Sequence, residues 1–189
     1  ELINKYANDA NQKLLNKTVN VLVLGPSDKQ DRMMGYTENM KLVNKENILP
    51  SDYVPSKLVV LDNNENNFHN YVDSKLKPMV REDIITDLFD MFKAAKESGY
   101  SLIVDSGYRS YEYQKNLYNN YVKTYGQKEA DTFSAHPGHS EHQTGLAFDV
   151  GKVSNSYGET EAGKWLAKNA HLYGFIIRYP KGKEEITGY

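Results

Sequence analysis

Apolar residues recur at three- and four-residue steps along residues 81–100, REDIITDLFDMFKAAKESGY, through Ile84, Ile85, Leu88, Phe89, Met91 and Phe92. This spacing predicts an amphipathic helix, with acids crowding its first turn and Gly99 ending it. Residues 1–16 carry a sparser version of the same pattern, and further helices are expected at about 110–125, 127–134 and 159–172. Short apolar or alternating runs predict strands at VNVLVLG (19–25), KLVVLD (57–62), SLIVDSGYR (101–109), LAFDV (146–150) and GFIIRYP (174–180). Gly25-Pro26 closes the first of these and Pro180 the last. The polar, turn-rich stretch 26–57 reads as a loop wrapped on a core, and the Asn-rich NNENNF (63–68) as another. Short strands and helices mixed without regular βαβ alternation point to an α+β fold.

The chain has 189 residues, enough for one domain with a short appended segment. A net charge of −2 gives no electrostatic reason to expect nucleic acid or an anionic membrane as partner. No apolar run reaches the length of a membrane span, and the first residues lack the apolar stretch of a signal peptide. The chain starts at Glu1, so a processed or trimmed chain is expected, with room for a membrane anchor upstream. Cysteine is absent, which removes disulfides, thiolate ligands and a Cys nucleophile together. Tyrosine is abundant, and YRSYEYQKNLYNNYVKTYG sets many of its rings in polar contexts, half-buried on a helix or able to grip a peptide or sugar.

The chemistry concentrates in HPGHSEHQTGLAFDV (136–150), which places three of the five histidines within seven positions. In LAFDV, Asp149 faces away from the apolar side formed by Leu146, Phe148 and Val150. A straight strand would put His142 on the opposite face from Asp149. Gly145 offers a break that lets the two converge on one ion, and a nitrogen–carboxylate pair suits Zn²⁺. His136 and His139 flank the Pro137-Gly138 turn and are weaker ligand candidates. His171, at a helix end, reads as a cap or packing residue, and His69 carries no signal. Upstream, Arg109 sits where a buried strand meets a helix. There it either pairs with Glu112 on the surface or projects into a cleft, where a guanidinium fork would grip a carboxylate. A zinc site beside a carboxylate-binding arginine is what a carboxypeptidase needs.

SGYRSYEYQ, PGHSEHQTGLAFDV and NAHLYGFIIRYPKGKEEITGY resemble the zinc D-alanyl carboxypeptidases of the VanY / LdcB type, including their SxHxxGxAxD motif from Ser140 to Asp149. LVNKENILPSDYVP (42–55) is similar to the segment that opens that domain. The resemblance runs from about residue 41 to the end, leaving 1–40 as an N-terminal extension and 41–189 as the carboxypeptidase domain. It implies a small antiparallel sheet flanked by helices, and zinc held by His142 and Asp149. Arg109 and Ser140 would bind the terminal D-Ala carboxylate, with Gln114 lining the pocket. The implied substrate is the peptidoglycan stem peptide, trimmed of D-Ala in the bacterial cell envelope by a monomer that does not itself touch the membrane. The resemblance also implies a Glu-x-x-His segment beyond Tyr189, bringing the general base and a third zinc ligand. No residue of 1–189 is therefore assigned as base, and Glu141 is rejected because a strand-like backbone would turn it away from its neighbour His142. A slight lean goes to the pentapeptide (D,D) over the tetrapeptide (L,D). A non-catalytic module that binds wall peptide and a cross-link endopeptidase of the same fold are the alternatives.

Overall fold

The structure, a computed structural model, describes residues 21–26, 33–37, 48–61, 71, 77–151, 156–179 and 182. The helix expected at 1–16, the Asn-rich loop at 63–68 and His69 lie outside them. The chain divides into two compact units, Glu1–Leu42 and Val43–Tyr189. In the first, strand β1 (Val21–Pro26) pairs antiparallel with β2 (Met33–Thr37), with a register shift between Val23 and Gly25. The second strand falls where a loop was expected. MMGYT is short and only partly apolar, so its strand character comes from pairing with β1 rather than from its own pattern.

The second unit is α+β. Strand β3 (Leu58–Val60) pairs antiparallel with β4 (Met79–Arg81), which sequence periodicity does not reveal because three residues are too few to alternate visibly. A 3₁₀ turn (Glu82–Ile84) leads into helix α1 (Ile85–Glu97). That helix buries Leu88, Met91, Phe92 and Ala95 against Leu61, Tyr71, Val80, Leu102, Val104, Leu166 and Ala170. The Tyr71 ring meets Phe89 and Phe92 edge-on, at 6.1 and 5.5 Å between centroids. Burying seven large side chains of this kind at about 2 kcal/mol each makes α1 the anchor of the unit.

Strand β5 (Val104–Ser106) then rises out of this core and opens into helix α2 (Tyr111–Tyr125), which Ser110 caps by accepting the Tyr113 amide. Helix α3 (Gln127–Phe133) follows directly. Strand β6 is only Asp149–Val150, antiparallel to β5 with Ser106 opposite Asp149. Helix α4 (Glu161–Asn169), capped by Thr160, runs on as a 3₁₀ turn to Tyr173 and stops at Gly174, where φ is +84°. The strand expected at 174–180 is not one among the described residues. Ile176 and Ile177 are 40% and 43% exposed, and no partner strand pairs with them there. Among the described residues, sheet structure is thus confined to short two-stranded pairs, and α1 supplies the largest share of the core.

Candidate metal and carboxylate site

The site is built where β5 ends. Gly107 lies against the β4 backbone so closely that an added Cβ would sit 2.2 Å from the Met79 carbonyl oxygen, which also accepts the Tyr108 amide at 2.6 Å. Only glycine fits, and its own carbonyl is left facing the histidine segment. There it lies 2.7 Å from His142 Nδ1. A carbonyl can only accept, so Nδ1 carries a proton and Nε2 is left to face Asp149, as a donor to the carboxylate when the ring is an imidazolium and as a lone-pair ligand when it is neutral.

His142 is not on a strand. Glu141–Thr144 form a 3₁₀ turn that ends at Gly145 in the left-handed region, φ +71°. This is the break that the sequence required, and it brings His142 Nε2 to 3.5 Å from Asp149 Oδ2. Two ligands of a tetrahedral ion at 2.0–2.2 Å from it stand about 3.4 Å apart, so the pair fits two positions around Zn²⁺. The Ser106 hydroxyl donates to Asp149 Oδ2 at 2.6 Å and holds the carboxylate in place. Burial alone would raise the Asp149 pKa. The His142 hydrogen bond and charge, the Ser106 hydroxyl and the Arg109 charge reverse this and hold it at about 2, so it is an anion ready to ligate. Among the described residues no group of three His, Cys, Asp or Glu gathers round one point, so this pair stands without a third ligand there.

Arg109 follows β5 and donates its backbone amide to the His142 carbonyl at 3.2 Å. Its side chain turns inward rather than pairing with Glu112, which salt-bridges Lys115. Nε is fully buried and lacks a hydrogen-bond partner. Burial pushes the guanidinium pKa down, opposed by Asp149 and by the phenols of Tyr113, Tyr121 and Tyr179. An inward cation with an unmet donor is prepared for an anion.

Gln114 and Ser140 are both buried, at 2% and 3% exposure. Gln114 donates to the Ala135 carbonyl at 2.7 Å while its Oε1 has no partner. The Ser140 side chain does not cap the turn it precedes. His136 pairs with Asp131 at 2.8 Å, stacks on Tyr118, and is half-exposed. His171 is exposed in the turn after α4. Of the histidines in the 136–150 segment, His142 is the one that the fold sets beside Asp149.

Two supporting residues escape sequence reasoning. Gln143 is fully buried and donates to the carbonyls of Pro50 and Tyr53, at 3.0 and 3.3 Å, tying the His142 turn to a segment about 90 residues upstream. Glu141 accepts from Arg178 Nε at 2.6 Å. Its engagement with Arg178, rather than a strand geometry, accounts for its carboxylate. Neither partner is near enough in sequence to leave a local signal.

The family profile of VanY, D-alanyl-D-alanine carboxypeptidase, matches residues 77–189. YodJ of Bacillus subtilis is 46% identical over 156 residues, covering 79% of this chain and 56% of that protein. The solved LD-carboxypeptidase LdcB is 42% identical with a TM-score of 0.69, covering 78% of this chain and 70% of the other. A zinc complex of the vancomycin resistance D,D-pentapeptidase VanY is 34% identical with a TM-score of 0.62, covering 78% and 80%. The chain spans about half the length of the curated relatives it matches.

Proposed function

Because the chain belongs to the VanY family of D-alanyl-D-alanine carboxypeptidases, we propose that it removes a C-terminal D-Ala from peptidoglycan stem peptides with the help of zinc. The observation that carries this reading is an inward, unpaired Arg109 beside a His142–Asp149 pair at metal-ligand spacing.

His142 through Nε2 and Asp149 through its carboxylate would hold the zinc, with Ser106 and the Gly107 carbonyl fixing both. Bound there, zinc supplies a Lewis acid that polarises the scissile carbonyl and acidifies water. The residues of this chain bind and orient. Arg109 takes the substrate's terminal carboxylate, the Ser140 hydroxyl adds a donor beside it, and buried Gln114 closes the pocket wall. Holding the carboxylate end fixes the last peptide bond over the metal pair, and this is where orientation lowers the barrier. Glu141 is not the base, because Arg178 already holds its carboxylate. The segment expected beyond Tyr189 would bring that base and a third ligand. The place of action is the cell envelope. Among the described residues no helix is long and apolar enough to cross a membrane.

The test is incubation of the full-length protein with synthetic stem peptides ending in D-Ala, as free acids and as amides. Release of D-Ala from the acids alone, abolished by chelator and restored by zinc, is the expected result. Equal cleavage of amides would remove Arg109 from its role. Binding without release, zinc being present, would instead mark a wall-peptide-binding module, and cleavage within cross-linked peptides an endopeptidase.

One finer point has its own support. The 42% identity to an LD-carboxypeptidase, against 34% to a D,D-pentapeptidase, favours the tetrapeptide over the pentapeptide towards which the motif reading leaned.

A further inference from the structure

We infer that residues Phe175–Arg178 act as a strap that sets the spacing of the two metal ligands, with Arg178 and Glu141 as its positioning pair. The inference rests on the zinc reading above. Each ligand has a neighbour in sequence, and the strap fastens to both neighbours. Phe148, just before Asp149, meets the Phe175 ring edge-on at 5.2 Å between centroids. Glu141, just before His142, accepts from Arg178 Nε at 2.6 Å. Four residues of chain therefore bridge the two ends of the His142–Asp149 segment.

The strap has no strand ladder of its own, so these side-chain attachments define its course. The Glu141 and Arg178 side chains are only 13% and 19% exposed, and the guanidinium is held further over the Tyr179 ring at 5.1 Å. A buried ion pair of this kind is a weak source of net stability but a strong determinant of arrangement, since either charge left alone is costly.

The experiment is a double-mutant cycle in the full-length protein with Glu141→Gln, Arg178→Met and both together, read by zinc affinity in competition with a chelator. Each single variant should bind zinc roughly tenfold or more weakly, as outer-shell substitutions do, and the double variant should be no worse than either single one. Arg178→Lys should recover part of the loss, and it remains informative if Arg178→Met fails to fold. The kcat should fall while KM changes little, because Arg109 is untouched. The ¹⁵N–¹H resonance of Arg178 Nε should shift in Glu141→Gln even without metal. Folded variants with wild-type zinc affinity, or losses that multiply in the double variant, would overturn the strap alone. Wild-type protein that binds no zinc would overturn the zinc reading and the strap's role in it together.

Discussion

At the scale of single residues, the electrostatics of Asp149 make a testable statement about the metal-free protein. Its folded pKa of about 2 lies below the ordinary 3.8, so the folded state favours the anion. The resulting stability is present above about pH 4 and is lost as the pH falls towards 2. About a third of the side chain is exposed, so the contribution is discounted to roughly 1–2 kcal/mol. Asp149→Asn should remove that portion of the acid dependence, visible as a flatter fall of the melting temperature between pH 4 and 2. It should also release zinc, and so should His142→Ala. The full-length protein is expected to carry about one zinc per chain by metal analysis. Arg109 allows an independent test. Arg109→Ala should lose about 2–5 kcal/mol of substrate interaction, measured through kcat/KM, and Arg109→Lys should regain only part because one ammonium cannot reproduce the fork. The meeting of His142 with Asp149 was legible in the sequence because its signal is local. A ligand pair with a glycine break between, and an arginine where an apolar run meets a helix, are visible in fifteen residues or fewer. The groups that hold them were not legible. Ser106 reaches Asp149 from 43 positions away and Gln143 reaches Pro50 from 93, distances at which no periodicity speaks.

At the scale of elements, the helices followed their patterns closely because each carries enough turns to show a period, as α1 does from Ile85 to Glu97. The strands of the second unit did not, being two or three residues long and defined by the neighbour they meet, whereas the six-residue β1 kept to its apolar run. The apolar alternation in LAFDV predicts five strand residues, but Thr144 Oγ1 accepts the Leu146 amide and the chain joins β5 only at Asp149. What aligns β5 with the metal turn is the close approach of Gly107 to β4. Gly107→Ala would drive a methyl into the Met79 carbonyl, and only a backbone shift could relieve it. That shift should cost about 1–3 kcal/mol in thermal or denaturant unfolding. It should weaken zinc binding as well, since the same residue's carbonyl orients His142. Gly158→Ala is the control. Nothing lies within 4 Å of its added Cβ, so its unfolding free energy should change by no more than about 0.5 kcal/mol.

At the scale of the whole molecule, the proposed activity turns on which stem peptide would be accepted, and that choice rests on the residue before the cut. On the proposed reading Arg109 and the His142–Asp149 pair would meet the terminal D-Ala and its peptide bond, which tetrapeptide and pentapeptide share. Discrimination must come from the wall that meets the preceding residue, D-configured in one and L-configured in the other. We propose Gln114 for that wall, because its buried Oε1 has no partner and a carbonyl oxygen there would select a substrate N–H in one direction. Ala135, which holds the Gln114 amide, fixes that direction through the loop after α3. Inverting the preceding residue moves its N–H out of line and leaves Oε1 unmet, a difference on the order of 1–3 kcal/mol. The full-length protein should therefore cleave one stem peptide at least tenfold faster than the other in kcat/KM, with the tetrapeptide preferred, as judged by mass analysis of the products. Gln114→Leu, which cannot accept, should compress that ratio towards one while leaving zinc content unchanged. Equal rates on both peptides in the wild-type protein, or an undiminished ratio in Gln114→Leu, would place the selection elsewhere.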